Sequence, residues 1–291
     1  MQSTILVPLD GSALGEDVLP TALMLADQLK AGLHLIHIHE SIMLVYANHL
    51  VIGQIPTLNT PLDDQCRADE QIYLDRLAEQ LRGAGVTVST TMLTGPVGDT
   101  IGTAAAADML IVMSSHARIG LDRTVRGSLA DELIRNAATP VLLVHVQPTD
   151  MPDLPVPPID HVLIALDGSA LSGQIVPVAE LVGGTFQAEF TLLHVLDQDS
   201  TSSQRAAMQN YLTAIATKFA SDPTRVHTVM VTADHPADAV LDYARQHNAD
   251  LIALATHGRS GLSRLVFGSV ADRIIHAADR PVLIYRPEGH V

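Results

Sequence analysis

The chain has 291 residues, 47% hydrophobic and 17% charged, enough for two domains with real cores and too apolar for a disordered chain. Its 32 acidic and 17 basic residues leave a formal charge of −15, which repels phosphate backbones and argues against general nucleic-acid binding. Lys30 and Lys218 are the only lysines, so there is no polybasic membrane patch, and the single Cys66 excludes an internal disulfide and a cysteine-built metal site.

In chain order, residues 5–9 read as a short apolar strand, followed by the polar turn of Asp10-Gly11-Ser12 and an amphipathic helix over 13–30. A strand at 33–38 runs into "HLIHIH", residues 34–39. The segment 41–63, unusually apolar for a connection, is expected to be a lid or an interaction surface outside the sheet. A helix at 64–83, a strand at 86–93, a helix at 97–107 and a strand at 109–113 follow. A polar turn, a helix at 128–137 and a strand at 141–146 close this half. Five prolines in "QPTDMPDLPVPP", residues 147–158, exclude helix and central strand and mark a semi-rigid linker.

The second half repeats the first. Strands at 162–166, 189–195, 226–231, 251–254 and 282–286 alternate with helices at 170–182, 201–219, 236–247 and 269–277. Asp10 and Asp167, Pro20 and Pro177, and His37 and His194 are each 157 residues apart. Gly127 and Gly268, and Pro140 and Pro281, are 141 apart, so the first copy carries 16 extra residues in its middle. The expected domains are 1–146 and 159–291. Alternating strands and helices predict an α/β fold, an open parallel sheet with helices on both faces in each copy. No apolar run reaches the ~18 residues of a membrane span. A strand starting by Thr4 leaves no room for a signal peptide, so a cytoplasmic protein is expected.

Ligands of such sheets bind beyond the carboxyl ends of the strands. Three features fall at that edge in each copy. They are the Asp-Gly-Ser turn, the histidine near the end of the second strand, and the turn after the fourth strand. Gly258 and Gly268 lack a Cβ and let backbone approach an anion; Gly268 is expected to need a positive φ. Gly268-Ser269 also opens a helix whose free N–H groups suit a phosphate. Taken singly, each feature has an ordinary explanation. Asp-Gly-Ser is a common turn and helix cap, and Gly-Ser a common helix start. His37 and His39 share a strand face, but partly buried histidines at a strand end explain them better than a metal.

Together these residues make the chain resemble a tandem universal stress protein. The family pattern at the terminal turn is Gly, two residues, Gly, nine residues, Gly, then Ser or Thr. The second copy, Ala255-Thr256-His257-Gly258, nine residues, Gly268-Ser269, keeps all but the first glycine. The first copy, Ser114-Ser115-His116-Ala117, nine residues, Gly127-Ser128, keeps only the last. The resemblance implies Rossmann-like five-stranded sheets of order 3-2-1-4-5, related by pseudo-two-fold symmetry through their fifth strands. It implies ATP, with or without Mg²⁺, held at the carboxyl edge. Asp167 and Asp10 would meet the nucleoside, and Val195 and Ile38 the adenine through their backbone. Ala255, Gly258, Arg259, Gly268 and Ser269 would hold the phosphates, as would Gly127 and Ser128 in the first copy. Tighter binding is expected in the second copy.

The function expected is that of an ATP-binding stress-response regulator with an unidentified protein partner, paired domains within the chain and scope for a homodimer. A slow ATP hydrolase or nucleotidyl-transferring enzyme and a non-nucleotide scaffold are the competing readings. Neither turn matches the P-loop pattern, and no lysine lies near either, which weighs against efficient phosphoryl transfer.

Overall fold

The computed structural model describes residues 4–40, 60–114, 130, 132–134, 137–145, 156–219, 222–256 and 268–287. The chain divides into two compact units. One comprises residues 1–139 and 146–152, the other 140–145 and 153–291.

In the first unit, β1 (Thr4–Leu9) lies between β2 (Gly32–His39) and β4 (Met109–Ser114), and β3 (Val88–Thr94) pairs with β2, all parallel. The order is β3-β2-β1-β4. Ile5, Leu6 and Val7 of β1 are each fully buried. A strand covered on both faces needs such an unbroken apolar run rather than alternation. The helix expected over 13–30 is two pieces, a short α1 (Ala13–Glu16) and α2 (Leu19–Leu29). Pro20 sits in the first turn of α2, where its missing N–H costs nothing, but it cannot donate back into α1. The next helix, α3, spans Thr60–Gly83 and starts before the expected residue 64, so the last positions of the 41–63 segment are helical. The rest of that segment lies outside the described residues. α4 (Val97–Ala104) stops short of 107 because Ala105 is extended.

The second unit has the order β8-β7-β6-β9-β10, which in this copy is the expected 3-2-1-4-5. Its parallel strands are β6 (His161–Ala165), β7 (Glu189–Leu196), β8 (Val226–Thr232), β9 (Leu251–Ala255) and β10 (Val282–Tyr285). Val162, Leu163 and Ile164 at its centre are fully buried. Pro177 repeats the role of Pro20. A 3₁₀ turn at Ser172–Ile175 precedes α5 (Val176–Gly184), with Pro177 in its first turn. α6 (Ser202–Ala216) opens with a capping box between Thr201 and Gln204, α7 spans Pro236–Gln246, and α8 spans Ser269–Ala277.

The strand β5 (Val141–Val144), from the end of the first copy, groups with this unit and pairs antiparallel with β10. Leu142 lies opposite Leu283, and Leu143 opposite Val282. Leu142 and Leu283 are 141 residues apart, the offset that separates Pro140 from Pro281, and Val141 pairs with Ile284 as Leu143 does with Val282, so the strand pair is locally symmetric about Leu142 and Leu283. Ala130 and residues 132–134 are helical; the rest of the expected 128–137 helix lies outside the described residues. Among the described residues no helix is long and apolar enough to cross a membrane.

Candidate functional site

In the second unit the loop after β6 is built around Gly168, whose φ of 89° is a backbone conformation that favours glycine. That twist turns the Asp167 carboxylate onto its own loop, where Oδ1 accepts the Ser169 N–H at 2.8 Å. Ser169 Oγ accepts the Ser172 N–H at 3.0 Å, and Ser172 Oγ accepts the Asp167 N–H at 3.3 Å. Tyr211 of α6 closes the loop from the side by donating to the Ser169 carbonyl at 2.9 Å. On β7, His194 Nδ1 lies 2.8 Å from the Leu166 carbonyl. A carbonyl only accepts, so Nδ1 is the donor in this contact.

Asp167, Gly168, Ser172, His194 and Tyr211 line a cleft of about 710 Å³, within the range of small-molecule pockets. Of the residues expected at the site, Asp167, Val195, Ala255, Gly268 and Ser269 all line it. The start of α8 forms another wall. Its first intrahelical backbone donor is Asp272, bonded to the Gly268 carbonyl at 3.1 Å. The N–H groups of Ser269, Val270 and Ala271 therefore have no partner within the helix, and all three residues border the cleft. One expectation needs correction. Gly268 has φ −58° and ψ 140°, a conformation open to any residue, so its value here is space rather than backbone freedom. The glycine that needs a positive φ is Gly168. Ala255 ends β9 in strand conformation, which accommodates its methyl. Thr256, next in sequence, is 1% exposed, and its hydroxyl has no hydrogen-bond partner among the described residues. Gly258, Arg259, Gly127 and Ser128 lie outside the described residues.

The first unit has a corresponding cleft of about 530 Å³, lined by Asp10 and Ile38 as expected. Gly11 repeats the positive φ, at 79°, and Asp10 Oδ1 accepts from the Ser12 N–H and hydroxyl at 3.0 and 2.6 Å. The rest of the lining differs in charge. Tyr73 and Tyr211 mark equivalent places on α3 and α6, each beside the aspartate of its own loop. Four and three residues before these tyrosines, Asp69 and Glu70 stand where the second copy has Ala207 and Met208. Glu40 also borders the first cleft. His37 and His39 are 5% and 3% exposed, more deeply buried than strand-end histidines were expected to be. Glu70 Oε2 lies 2.7 Å from His39 Nδ1 and 3.6 Å from His37 Nε2.

The two tyrosines and the α3 carboxylates were not among the residues singled out from sequence. A Tyr at matching places in both copies was the available signal. Burial raises the Tyr73 phenol, and the charges of Glu16 and Asp10 raise it further. Burial likewise raises Tyr211, with the Asp167 charge adding to it and the Ser172 hydrogen bond opposing. A phenol raised in the folded state contributes stability that is fully present below the ordinary value of 10.0 and lost as pH climbs through the folded value. The thermal midpoint should therefore fall more steeply above pH ~10 in the native protein than in a Tyr73→Phe, Tyr211→Phe variant. Equal alkaline slopes would clear the tyrosines as the cause.

The Universal stress protein family model matches residues 1–145 and again 158–286. Universal stress protein Rv2005c of Mycobacterium tuberculosis is 27% identical over 223 residues, covering 72% of this chain and 74% of the relative. A crystal structure of a universal stress protein from Archaeoglobus fulgidus superposes with TM-score 0.71 at 17% identity, covering 99% of this chain and 100% of that one. A protein of unknown function from Pseudomonas aeruginosa, PA1789, does so with TM-score 0.65 at 18% identity, covering 98% and 92%.

Proposed function

The chain belongs to the universal stress protein family, and from that premise we propose that it is an ATP-binding regulatory protein whose nucleotide sits in the second unit's cleft. The observation that carries this reading is the convergence of the α8 N-terminus with the Asp167 loop and the end of β7 around one cleft. In it, Asp167 accepts from the ribose, Val195 offers its backbone to the base, and Gly268 and Ser269 with the free N–H groups of α8 take phosphate. Ala255, Gly258 and Arg259 complete the phosphate turn. Asp10, Ile38, Gly127 and Ser128 form the weaker counterpart in residues 1–146, joined by the linker 147–158 to residues 159–291. The protein acts as a cytoplasmic nucleotide-dependent switch rather than an enzyme, with turnover below ~1 per minute against ~10 per second for typical enzymes.

Mass spectrometry of the purified protein after denaturation should release an adenine nucleotide. Gly268→Val supplies the site test. Valine accepts φ −58° and ψ 140°, so the variant should fold normally. Its side chain then fills the space beside the first turn of α8, and ATP affinity should fall by about a hundredfold, roughly 2.7 kcal/mol. Native affinity in the folded variant would remove the phosphate assignment.

A further inference from the structure

We propose that Tyr211 is a positioning residue for the sugar of the nucleotide in the second cleft, setting a preference for ribose through the Asp167 loop. The proposal rests on the reading that Asp167 accepts from the ribose.

The loop after β6 needs a support from outside itself. Gly168 at its centre has φ 89°, and a glycine leaves the chain around it a wide choice of conformations. Tyr211 supplies the support. Its hydroxyl donates to the Ser169 carbonyl at 2.9 Å and lies 3.2 Å from Ser172 Oγ. The N–H of the same Ser169 donates to Asp167 Oδ1 at 2.8 Å. One residue thus carries the tyrosine on its carbonyl and the aspartate on its N–H, so fixing the first restricts the second. The post itself is firm. Leu212, next along α6, is fully buried and Ile215 is 4% exposed, which anchors the helix in the core. A tyrosine side chain has two torsions to fix, so holding it costs little entropy. Burial raises the phenol, the Ser172 hydrogen bond opposes this and the Asp167 charge adds to it, which keeps the hydroxyl a donor at neutral pH.

The first copy shows that this support is not a by-product of the duplicated fold. Tyr73 stands at the matching place, but its hydroxyl faces Glu16 of α1 and makes no hydrogen bond to the Ser12 carbonyl. Asp10 is held from within its own loop, by the Ser12 N–H at 3.0 Å and the Ser12 hydroxyl at 2.6 Å. In the second copy Ser169 reaches Asp167 through its N–H, and the outside hold comes from α6. Met208, three residues before Tyr211 and on the same helix face, also lines the cleft, so this face of α6 lies along the sugar side of the site.

Tyr211→Phe keeps the ring and removes the hydroxyl. Ser172 Oγ also donates to the Ser169 carbonyl, at 3.0 Å, so the variant leaves that acceptor paired and should fold normally. The test uses the full chain labelled with methyl-¹³C methionine. The Met208 signal, assigned through Met208→Leu, reports on the second cleft. The ligands are ATP and 2′,3′-dideoxy-ATP, which offers Asp167 no sugar hydroxyl. Tyr211→Phe should weaken ATP by about fivefold or more and leave the dideoxy nucleotide within about twofold of its native affinity. In an Asp167→Ala background, Tyr211→Phe should cost ATP nothing further. Hydrogen exchange should speed up at the Ser169 N–H and stay unchanged at the Leu212 N–H. The proposal is overturned if both nucleotides weaken equally, which is what a general loosening of the cleft would give, or if the losses from the two substitutions add. Native ATP affinity in Tyr211→Phe ends this proposal alone. A native chain in which neither nucleotide moves Met208 ends the nucleotide reading, and this proposal with it.

Discussion

Gly168→Val is expected to weaken ATP binding in the second unit by about a hundredfold or more, roughly 2.7 kcal/mol. Two costs combine at this position. The φ of 89° is one that a β-branched residue rarely adopts, a strain of about 1–3 kcal/mol. A Cβ there would also lie 2.5 Å from the end of the Met208 side chain. That end is flexible and can move, but Met208 and Gly168 both line the cleft, so relief comes at the expense of ligand space. Relaxing the loop instead releases the Ser169 N–H from Asp167 and turns the carboxylate away from the nucleoside. Gly11→Val is the matched control. Its φ is 79°, and a Cβ there meets nothing within 4 Å, so it carries the strain alone. Thermal unfolding should show both variants destabilised by about 1–3 kcal/mol, while calorimetry finds ATP affinity lost only with Gly168→Val. A folded Gly168→Val chain that binds ATP like the native protein would mean that the Asp167 loop is not part of the site.

The two turns illustrate what a sequence discloses and what it withholds. Duplication made the fold legible, because the 157-residue and 141-residue offsets aligned strand with strand and the apolar runs marked the buried ones. The same offsets brought Asp167, Val195, Ala255, Gly268 and Ser269 to one edge, and they do line one cleft. Which glycine carries the backbone strain was not legible. Gly268 precedes a helix and Gly168 follows a strand, and either context admits both signs of φ. The breaks before Pro20 and Pro177 were misread because amphipathic spacing continues across them, while only the hydrogen-bond pattern registers the missing N–H. The α3 carboxylates were missed for a different reason. On a helix of mixed polarity Asp69 and Glu70 look like solvated surface, and only the tertiary fold turns that stretch toward Asp10.

The two clefts should bind ATP unequally, with the second at least about tenfold tighter, a difference of ~1.4 kcal/mol. From the sequence this ranking rested on Gly258 against Ala117; the lining supplies an independent reason. Both copies keep the aspartate, the apolar residue after the histidine, and Gly-Ser. Among the described lining residues, the acidic ones are Asp10, Glu40, Asp69 and Glu70 in the first cleft and Asp167 and Asp197 in the second. A unit charge about 8 Å from another contributes ~0.5 kcal/mol in water and more where the walls exclude it. A triphosphate carries several such charges, so two extra carboxylates cost on the order of 1–3 kcal/mol once salt screening is allowed for. Titrations of Asp167→Ala and Asp10→Ala with ATP separate the sites. Asp167→Ala should remove the tight phase and Asp10→Ala should leave it intact. Raising salt should narrow the gap between the two affinities, because screening relieves the first cleft more than the second. If Asp10→Ala removes the tight phase instead, the acidic lining of the first cleft does not face the phosphates, and the two sites are ranked in reverse.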